Sequence, residues 1–415
     1  MSRFLFIHQN FPGQYRHLAP ALVRSGHEVF ATVLRQTSGA TTEYPFSWQG
    51  VELWPYHVER AAVNGQHPWL SDFEAKVLRG ESCLKVLKKM RANGIYPDVV
   101  MAHLGWGEAL FVKDVWPNAK LVIYCEFYYQ AQGADVGFDP EFHSLSDEAR
   151  CKLRLRNANQ LLHLQAADAI STPTHWQAST FPIEYRQRMK IFHEGIDTSI
   201  LTAAPNATVR LSNQLQLNAG DEVVTFVSRN LEPYRGYHTF MRALPELLDQ
   251  RPKAHVLLIG GDKVGYGAAA PNGQSWKQIF ANEVRKHMPM DNWARVHFLG
   301  RLPYDQYLAV MRVSAVHVYL TYPFVLSWSL LEAMSLGIAI VGSDTEPVKE
   351  VLIHEKNGLL VNFFDPSKLA HSISELLDNA QERQRLGQAA RKFVCEHYDL
   401  HQICLPMQMD WLSTV

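Results

Sequence analysis

The chain has 415 residues and a formal net charge of -1, with 47% hydrophobic and 20% charged residues. This length predicts two or three domains, and the composition is typical of a soluble globular protein with a large core. The absence of a basic excess argues against nucleic acid as a partner. No run of about 18 apolar residues occurs, so we expect no membrane-spanning helix and at most peripheral association with a membrane.

The cysteines and histidines predict neither a disulfide framework nor a metal site. The five cysteines are odd in number and form no Cys-x-x-Cys pair, and the 19 histidines include no His-Glu-x-x-His motif. The N-terminus enters a strand directly, without the apolar segment of a secretory signal. We therefore expect a cytoplasmic protein, with the inner face of the membrane left open as its location. The oligomeric state stays open.

The first residues predict a parallel sheet. A strand over 4–7, a helix that ends before Gly26 and a strand over 28–34 form a βαβ unit, which places helices on both faces of such a sheet. The turn after the first strand, His8 to Gly13, lacks the Gly-x-Gly-x-x-Gly fingerprint, so a dehydrogenase is a distant alternative. Gly13 is either a turn glycine or a functional one. Residues 35–75 are predicted to be irregular and rich in aromatic residues, as a substrate-lining insertion or a packed surface loop.

Two polar side chains follow neighbouring strands of this sheet. His103 ends the strand that starts at residue 97, and Glu126 ends the strand that starts at residue 121. Open α/β sheets bind ligands at the carboxyl ends of their strands. Either residue alone is equally compatible with a structural hydrogen bond, but the two together favour function.

A second set of βα units follows a polar connection over 198–221. We predict a first domain over 1–205 and a second over 215–395, with the apolar segment 396–415 returning to the first. The strands predicted for the second domain are 223–228, 255–259, 295–298, 315–319 and 338–341; its helices are 236–250, 275–288, 304–313, 327–336, 366–378 and 381–396.

Two segments of the second domain predict an anion site. Arg229 and Arg235 lie in a strand–loop–helix segment, and arginine gives planar, bidentate contacts to phosphate; surface salt bridges are the alternative. The loop before residue 328 leads into a short helix that Ser327 can cap, with Glu332 one turn inside. The start of a helix attracts anions, so this segment is predicted to hold a nucleotide diphosphate sugar.

Taken together, the motifs resemble those of family 4 retaining glycosyltransferases of the GT-B fold. The motifs are Arg229…Arg235-Gly236, Gly260-Gly261, Phe298-Leu-Gly-Arg301 and Leu331-Glu-Ala-Met-Ser-Leu-Gly337, with Phe11-Pro-Gly13, His103 and Glu194-Gly-Ile-Asp197 in the first domain. The resemblance implies an α/β fold of two Rossmann-like, doubly wound parallel-sheet domains that face each other across a cleft. The first domain would take the acceptor and the second the nucleotide sugar.

The resemblance also implies roles for individual residues. Arg229 and Arg235 would bind the diphosphate, and Glu332, the second Glu of the Glu-x7-Glu motif, would bind the ribose hydroxyls. Gly13, Gly261, Ser327 and Trp328 complete the donor-binding set; Phe324, Val325 and Leu326 lie near the donor sugar; Glu126, His103, Arg229 and Arg235 form the catalytic set.

The sequence departs from the family pattern in the spacing from Arg229 to Arg235, which is one residue longer than usual, and at two further positions. Phe324 replaces the first Glu of the motif, and Glu126 stands where a histidine is usual. The implied reaction moves a sugar from a UDP- or GDP-linked donor to a hydroxyl of a sugar or glycolipid acceptor, with retention and without metal or cofactor. Polysaccharide or glycoconjugate synthesis is the expected setting. The alternatives are a non-hydrolysing nucleotide-sugar epimerase and a binding protein with a degenerate site.

Overall fold

The computed structural model describes residues 1–35, 46–59, 67–142 and 146–415. These residues form two compact units. Unit 1 comprises Met1–Gly195 and His401–Val415, and unit 2 comprises Ile196–Leu400.

The first unit ends at Gly195 rather than at residue 205. Ile196 forms a β-bridge with Asp399, and its N–H donates to the carbonyl oxygen of Tyr398, so this residue is already part of the second unit. The second unit extends to Leu400, five residues past the predicted end at 395.

The described residues of unit 1 form one sheet of eight strands. The strands are β1 (Arg3–Ile7), β2 (Glu28–Leu34), β3 (Ser47–Trp48), β4 (Val51–Tyr56), β5 (Val99–His103), β6 (Lys120–Tyr124), β7 (Ala169–Thr172) and β8 (Met189–Ile191). The helices are α1 (Leu18–Arg24), α2 (Ser71–Ala92), α3 (Val112–Val115), α4 (Asp147–Ala166), α5 (His175–Ser179) and α6 (Ile183–Arg186).

The strand order of this sheet defines where a ligand can enter. The order is β3-β4-β2-β1-β5-β6-β7-β8, and all pairs are parallel except β3 with β4. The chain leaves β1 toward β2 on one side and returns to β5 on the other side. Such a reversal opens a crevice at the carboxyl ends of the two strands, here β1 and β5.

Both faces of the sheet are covered, which explains the continuous apolar runs of its strands. Phe4 and Phe6 of β1 pack with Leu18 and Leu22 of α1 on one face. Leu5 and Ile7 pack on the other face, in a core cluster that includes residues of α2 and α4.

Within residues 35–75, the described residues 46–59 and 67–75 are more regular than predicted. The prediction missed β4, which pairs with β2 in the sheet, because Pro55 lies within it and proline cannot donate to a strand ladder. The burial of Val51, Leu53 and Tyr56 is nevertheless typical of a half-covered strand. Tyr44, one of the aromatic residues of the predicted insertion, lies outside the described residues.

Unit 2 is a second α/β unit. Its strands are β9 (Thr208–Arg210), β10 (Gln216–Asn218), β11 (Val223–Asn230), β12 (His255–Gly261), β13 (Val296–Gly300), β14 (Val316–Tyr319), β15 (Ala339–Ser343) and β16 (Leu359–Val361). Its helices are α7 (Tyr237–Gln250), α8 (Trp276–Arg285), α9 (Met290–Trp293), α10 (Tyr304–Arg312), α11 (Trp328–Ser335), α12 (Glu346–Lys349), α13 (Pro366–Asp378) and α14 (Ala380–His397).

The main sheet of unit 2 is wholly parallel, with the order β13-β12-β11-β14-β15-β16. Its direction reverses between β11 and β14, so the ligand crevice of this sheet lies at the ends of these two strands. Phe226 of β11 stacks on Phe240 of α7 at 5.0 Å, while Leu330 of α11 is buried in the core of unit 2.

The connection predicted over 198–221 contains structure. Strands β9 and β10 form a small antiparallel hairpin, and Leu217 of β10 is buried in the core of unit 2. Leu217 is flanked by the exposed polar residues Gln216 and Asn218, so the sequence pattern did not indicate this contact. After α14, the chain joins unit 1 and ends in α15 (Leu405–Ser413), where Leu412 packs in the same core cluster as Phe4.

Candidate functional site

The strand ends of unit 2 carry two exposed arginines. Arg229 lies at the end of β11, and Arg301 follows β13. Nη2 of Arg301 donates a hydrogen bond of 2.9 Å to Oδ1 of Asn230, the neighbour of Arg229. Arg229 forms no ion pair with any of the residues that the structure describes, so its charge is available to an anion from solution.

Gly261 leaves the space in which the side chains of Arg301 and Asn230 meet. A Cβ atom at Gly261 would lie 2.7 Å from Nε of Arg301 and 2.7 Å from Oδ1 of Asn230, closer than atoms can approach. The predicted donor-binding residue Gly261 therefore contacts the arginine directly, and any side chain there would displace it.

Arg235 differs from Arg229 because it is buried. Only 6% of Arg235 is exposed, and its Nη1 donates to Oγ1 of Thr321 and to the carbonyl oxygen of Val325, both at 2.9 Å. These bonds attach the segment after β11 to the loop after β14. Arg235 thus shapes the β11/β14 crevice through the loop that borders it.

Glu232 fixes a second loop, a role that no motif in the sequence indicates. The residue is 1% exposed, and its carboxylate accepts hydrogen bonds from the backbone N–H groups of Gly265 (3.1 Å) and Tyr266 (3.2 Å) in the loop after β12. Burial raises the pKa of Glu232, although these N–H groups lower it in part. Glu232 and Arg235, three residues apart, therefore hold the loops after β12 and β14.

Phe324 packs in an aromatic cluster. It is 7% exposed, and its ring centroid lies 5.4 Å from that of Tyr234 and 5.0 Å from that of Tyr266. The guanidinium of Arg235 lies 5.6 Å from the Phe324 ring centroid, in the geometry of a cation–π contact. At the position where the Glu-x7-Glu motif has its first carboxylate, this chain therefore has an apolar ring that packs against the buried Arg235.

The residues after Phe324 lead into α11. Val325 is half-buried, whereas Leu326 is 7% exposed and packs in the core of unit 2. Ser327 holds the N-cap position of α11, but its hydroxyl lies 3.0 Å from that of Ser329 and does not bond a backbone N–H of the helix. The side-chain cap expected from the sequence is therefore absent at Ser327, and Trp328, the first helical residue, is half-buried.

Glu332 is held by two tyrosines. Its carboxylate oxygens accept hydrogen bonds from the hydroxyls of Tyr304 (3.0 Å) and Tyr307 (2.8 Å) of α10. Each carboxylate oxygen has more than one acceptor position, so Glu332 keeps capacity for further hydroxyl donors. The spacing of three residues between the tyrosines places them on one helix face, but only the fold reveals that this face meets Glu332.

In unit 1, the structure brings His103 and Glu126 together. Nε2 of His103 lies 3.4 Å from Oε2 of Glu126. Burial acts to raise the pKa of Glu126, but the proximity of His103, together with His8 and Gln14, outweighs it and lowers the pKa below its usual value. His8 and Gln14 were not identified from the sequence; both lie in the turn after β1, where no motif marks them.

Gly13, which is predicted to approach a diphosphate, lies against His8. Gly13 has a φ of 47°, and a Cβ atom there would lie 2.3 Å from Cε1 of the His8 ring. The glycine is required by the packing of this histidine, next to the His103–Glu126 pair.

Both units therefore place polar residues at the strand ends where their sheets reverse, as expected for a two-domain α/β enzyme that binds polar substrates. Residues 25–201 match the family model described as glycosyl transferase family 4 group, and residues 210–393 match the model described as glycosyl transferases group 1. The chain belongs to these glycosyltransferases, which confirms the family that its motifs indicated.

Known proteins agree with this assignment. The chain is 24% identical to D-inositol 3-phosphate glycosyltransferase of Corynebacterium efficiens over 316 residues, 74% of this chain and 69% of that protein. Anabaena HepE, solved in complex with UDP and glucose, has a TM-score of 0.68 at 17% identity, covering 100% of both chains. Sucrose-phosphate synthase of Thermosynechococcus elongatus has a TM-score of 0.72 at 16% identity, covering 100% and 99%. These likenesses confirm the GT-B fold.

Among the described residues, none of the helices combines the length and the apolar character that crossing a bilayer requires.

Proposed function

We propose that this glycosyltransferase moves a sugar from a nucleotide diphosphate sugar to a hydroxyl of a sugar or glycolipid acceptor, with retention of anomeric configuration. The observation that carries the proposal is a pair of exposed arginines beside the fixed loops after β12 and β14: Arg229 lies at the end of β11, where the unit 2 sheet reverses, and Arg301 reaches the same strand end by its bond to Asn230. The HepE complexes with UDP and with UDP-glucose favour UDP as the nucleotide, with GDP as the alternative.

In this proposal the diphosphate lies against the two arginines. Their guanidinium groups remain charged at all physiological pH values and match phosphate oxygens in geometry. The carboxylate of Glu332, which Tyr304 and Tyr307 orient, accepts hydrogen bonds from the ribose hydroxyls. Because the arginines supply fixed positive charge, no metal ion is needed to neutralise the diphosphate.

The reaction forms a bond between the acceptor oxygen and the anomeric carbon and breaks the bond from that carbon to the diphosphate. The acceptor proton passes to the leaving phosphate, on the same face of the sugar, so that configuration is retained. Arg229 and Arg301 stabilise the negative charge that develops on the leaving group. Such preorganised electrostatic stabilisation is usually the largest single contribution to catalysis. Glu126 and His103 orient a substrate hydroxyl. We place this activity in the cytoplasm, in the synthesis of polysaccharides or glycoconjugates.

A binding protein without turnover is the second candidate, and Phe324 is the observation that favours it. The ring is packed by Tyr234 and Tyr266, so no carboxylate is available at this position to contact the donor sugar. Binding of a nucleotide sugar without transfer to any acceptor would support this alternative.

Calorimetric titration with UDP and GDP tests the donor site. Loss of a charge-assisted contact costs about 1.5–3 kcal/mol, so Arg229→Ala should weaken nucleotide affinity by about ten- to a hundredfold. The matched control is Arg210→Ala, since Arg210 is exposed on β9 of the same unit. Equal affinities for wild type and Arg229→Ala would show that the diphosphate does not bind at Arg229.

A further inference from the structure

In unit 1, hydrogen bonds link the side chains of His8, Gln14 and Glu126 in a row. The backbone of the turn after β1 fixes where the protons of this row lie. Nδ1 of His8 accepts a hydrogen bond of 3.0 Å from the backbone N–H of Asn10, so the proton of the neutral ring is on Nε2. Nε2 then donates to Oε1 of Gln14 at 2.7 Å. Burial lowers the pKa of His8 to about 3, so the ring stays neutral at physiological pH.

The row continues from Gln14 to Glu126. Because Oε1 of Gln14 accepts from His8, its amide nitrogen faces Glu126 and donates to Oε1 of the carboxylate at 3.2 Å. The backbone carbonyl of Glu126 is also fixed, since it accepts a hydrogen bond from Nε2 of Gln177. Each bond in the row points toward Glu126, which acts only as an acceptor.

His103 supplies a donor on the other side of Glu126. Its Nδ1 accepts from the backbone N–H of Gly105 at 2.9 Å, so Nε2 carries the proton. The ring is held by stacking on Trp106, with centroids 3.8 Å apart and planes 11° apart.

This donor is not satisfied within the protein. His103 is 4% exposed, and its Nε2 has no hydrogen-bond partner among the described residues. The carboxylate of Glu126, at 3.4 Å, is near but poorly placed to accept. Buried donors without partners are rare in folded proteins and indicate a missing ligand or water.

A hydroxyl group fits this pair of side chains. It can accept from Nε2–H of His103 and donate to the carboxylate of Glu126 at the same time. The side chain of Glu126 is 33% exposed, so solvent and substrate can reach it. The pair lies at the ends of β5 and β6, next to the reversal of the unit 1 sheet, where such folds bind ligands.

We infer that His8 and Gln14 are positioning residues: they hold the carboxylate of Glu126 as the acceptor for the substrate hydroxyl that Glu126 and His103 orient. This inference rests on the proposed sugar transfer. The hydroxyl belongs either to the donor sugar or to the acceptor, since both present the same chemistry. The titratable groups that face Glu126 are His8, His103, Tyr124 and Tyr129.

Gln14→Leu is the variant that tests the positioning role. It removes the donor to Glu126, so the pKa of the carboxylate rises and activity is lost at higher pH than in wild type. We expect a modest loss of kcat/KM at pH 8. The acidic limb of the pH profile should move up by about half to one pH unit, so that kcat/KM falls by a further three- to tenfold on that limb. The control is Gln165→Leu, because Gln165 is exposed on α4.

Two kinetic comparisons locate the hydroxyl. If it belongs to the acceptor, Gln14→Leu raises the KM for the acceptor and leaves hydrolysis of UDP-glucose without acceptor near wild type. If it belongs to the donor sugar, both the KM for UDP-glucose and its hydrolysis change. A uniform loss at all pH values, with an unmoved acidic limb, would overturn the positioning role.

A spectroscopic test does not depend on turnover. In the protein labelled with ¹⁵N-histidine, the neutral rings of His8 and His103 should both carry their proton on Nε2, with the signals assigned from His8→Gln and His103→Gln. An Nδ1–H tautomer at either ring would overturn the hydrogen-bonded row. A wild-type protein that turns over no nucleotide sugar, but shows both expected tautomers, would contradict the proposed function and leave the geometry of the subsite supported.

Discussion

Replacing Arg235 by methionine removes a buried guanidinium while keeping a side chain of similar length. Nη1 donates to Thr321 and to the carbonyl oxygen of Val325, both at 2.9 Å. Hydrogen bonds from a charged donor contribute about 1.5–3 kcal/mol each, so the two bonds together contribute about 3–6 kcal/mol. An apolar replacement of a buried charge recovers part of this energy, so we expect the free energy of unfolding to fall by about 3 kcal/mol.

Guanidinium chloride unfolding followed by tryptophan fluorescence measures this loss. The protein has two units, so the relevant transition is that of unit 2, which contains Trp276, Trp293 and Trp328. Arg210→Met is the control, because Arg210 is exposed. A loss below about 1 kcal/mol in Arg235→Met, or an equal loss in the control, would refute the conclusion that Arg235 anchors the loop after β14.

Four further outcomes are expected. Gly13→Ala should lower kcat severalfold, because the new Cβ displaces the ring of His8; unchanged kinetics would argue against this contact. Tyr307→Phe removes a 2.8 Å donor to Glu332 and should raise the KM for the nucleotide sugar, as steady-state kinetics would reveal. Between pH 6.5 and 3, His8 is protonated in the unfolded chain but not in the folded one. The free energy of unfolding therefore falls as the pH falls, by at most about 1.4 kcal/mol per pH unit. Denaturant titrations of His8→Gln should show a shallower dependence of this free energy on pH. Treatment with EDTA should leave the transfer rate unchanged, and a loss restored by Mg²⁺ or Mn²⁺ would contradict the metal-independent proposal.

The strand ends were predictable because buried parallel strands have continuous apolar sequences. The boundaries of such runs placed His103 and Glu126 at adjacent strand ends, and the structure places them 3.4 Å apart. The same reasoning could not find His8 and Gln14. Their bonds to this pair depend on β1 lying beside β5 and on the path of a turn, and neither has a signature in the local sequence.

The sequence pattern also could not predict which of the two arginines is exposed and which is buried. A strand–loop–helix segment identified Arg229 and Arg235 alike, yet the first is exposed and the second is 6% exposed. What distinguishes them is the carbonyl oxygen of Val325, about ninety residues away, which accepts from Arg235. Tertiary contacts of this kind decide whether a charged side chain faces a ligand or supports a loop.

Mass spectrometry of reactions that contain UDP- or GDP-linked sugars, with and without an acceptor panel of sugars and glycolipids, tests the central claim most directly. Sugar transfer predicts an acceptor heavier by one sugar residue and a free nucleoside diphosphate, formed together only when donor and acceptor are both present. The Arg229→Ala variant should lose this product while Arg210→Ala keeps it. An isomerised nucleotide sugar released from the donor alone would contradict the account and identify an epimerase instead.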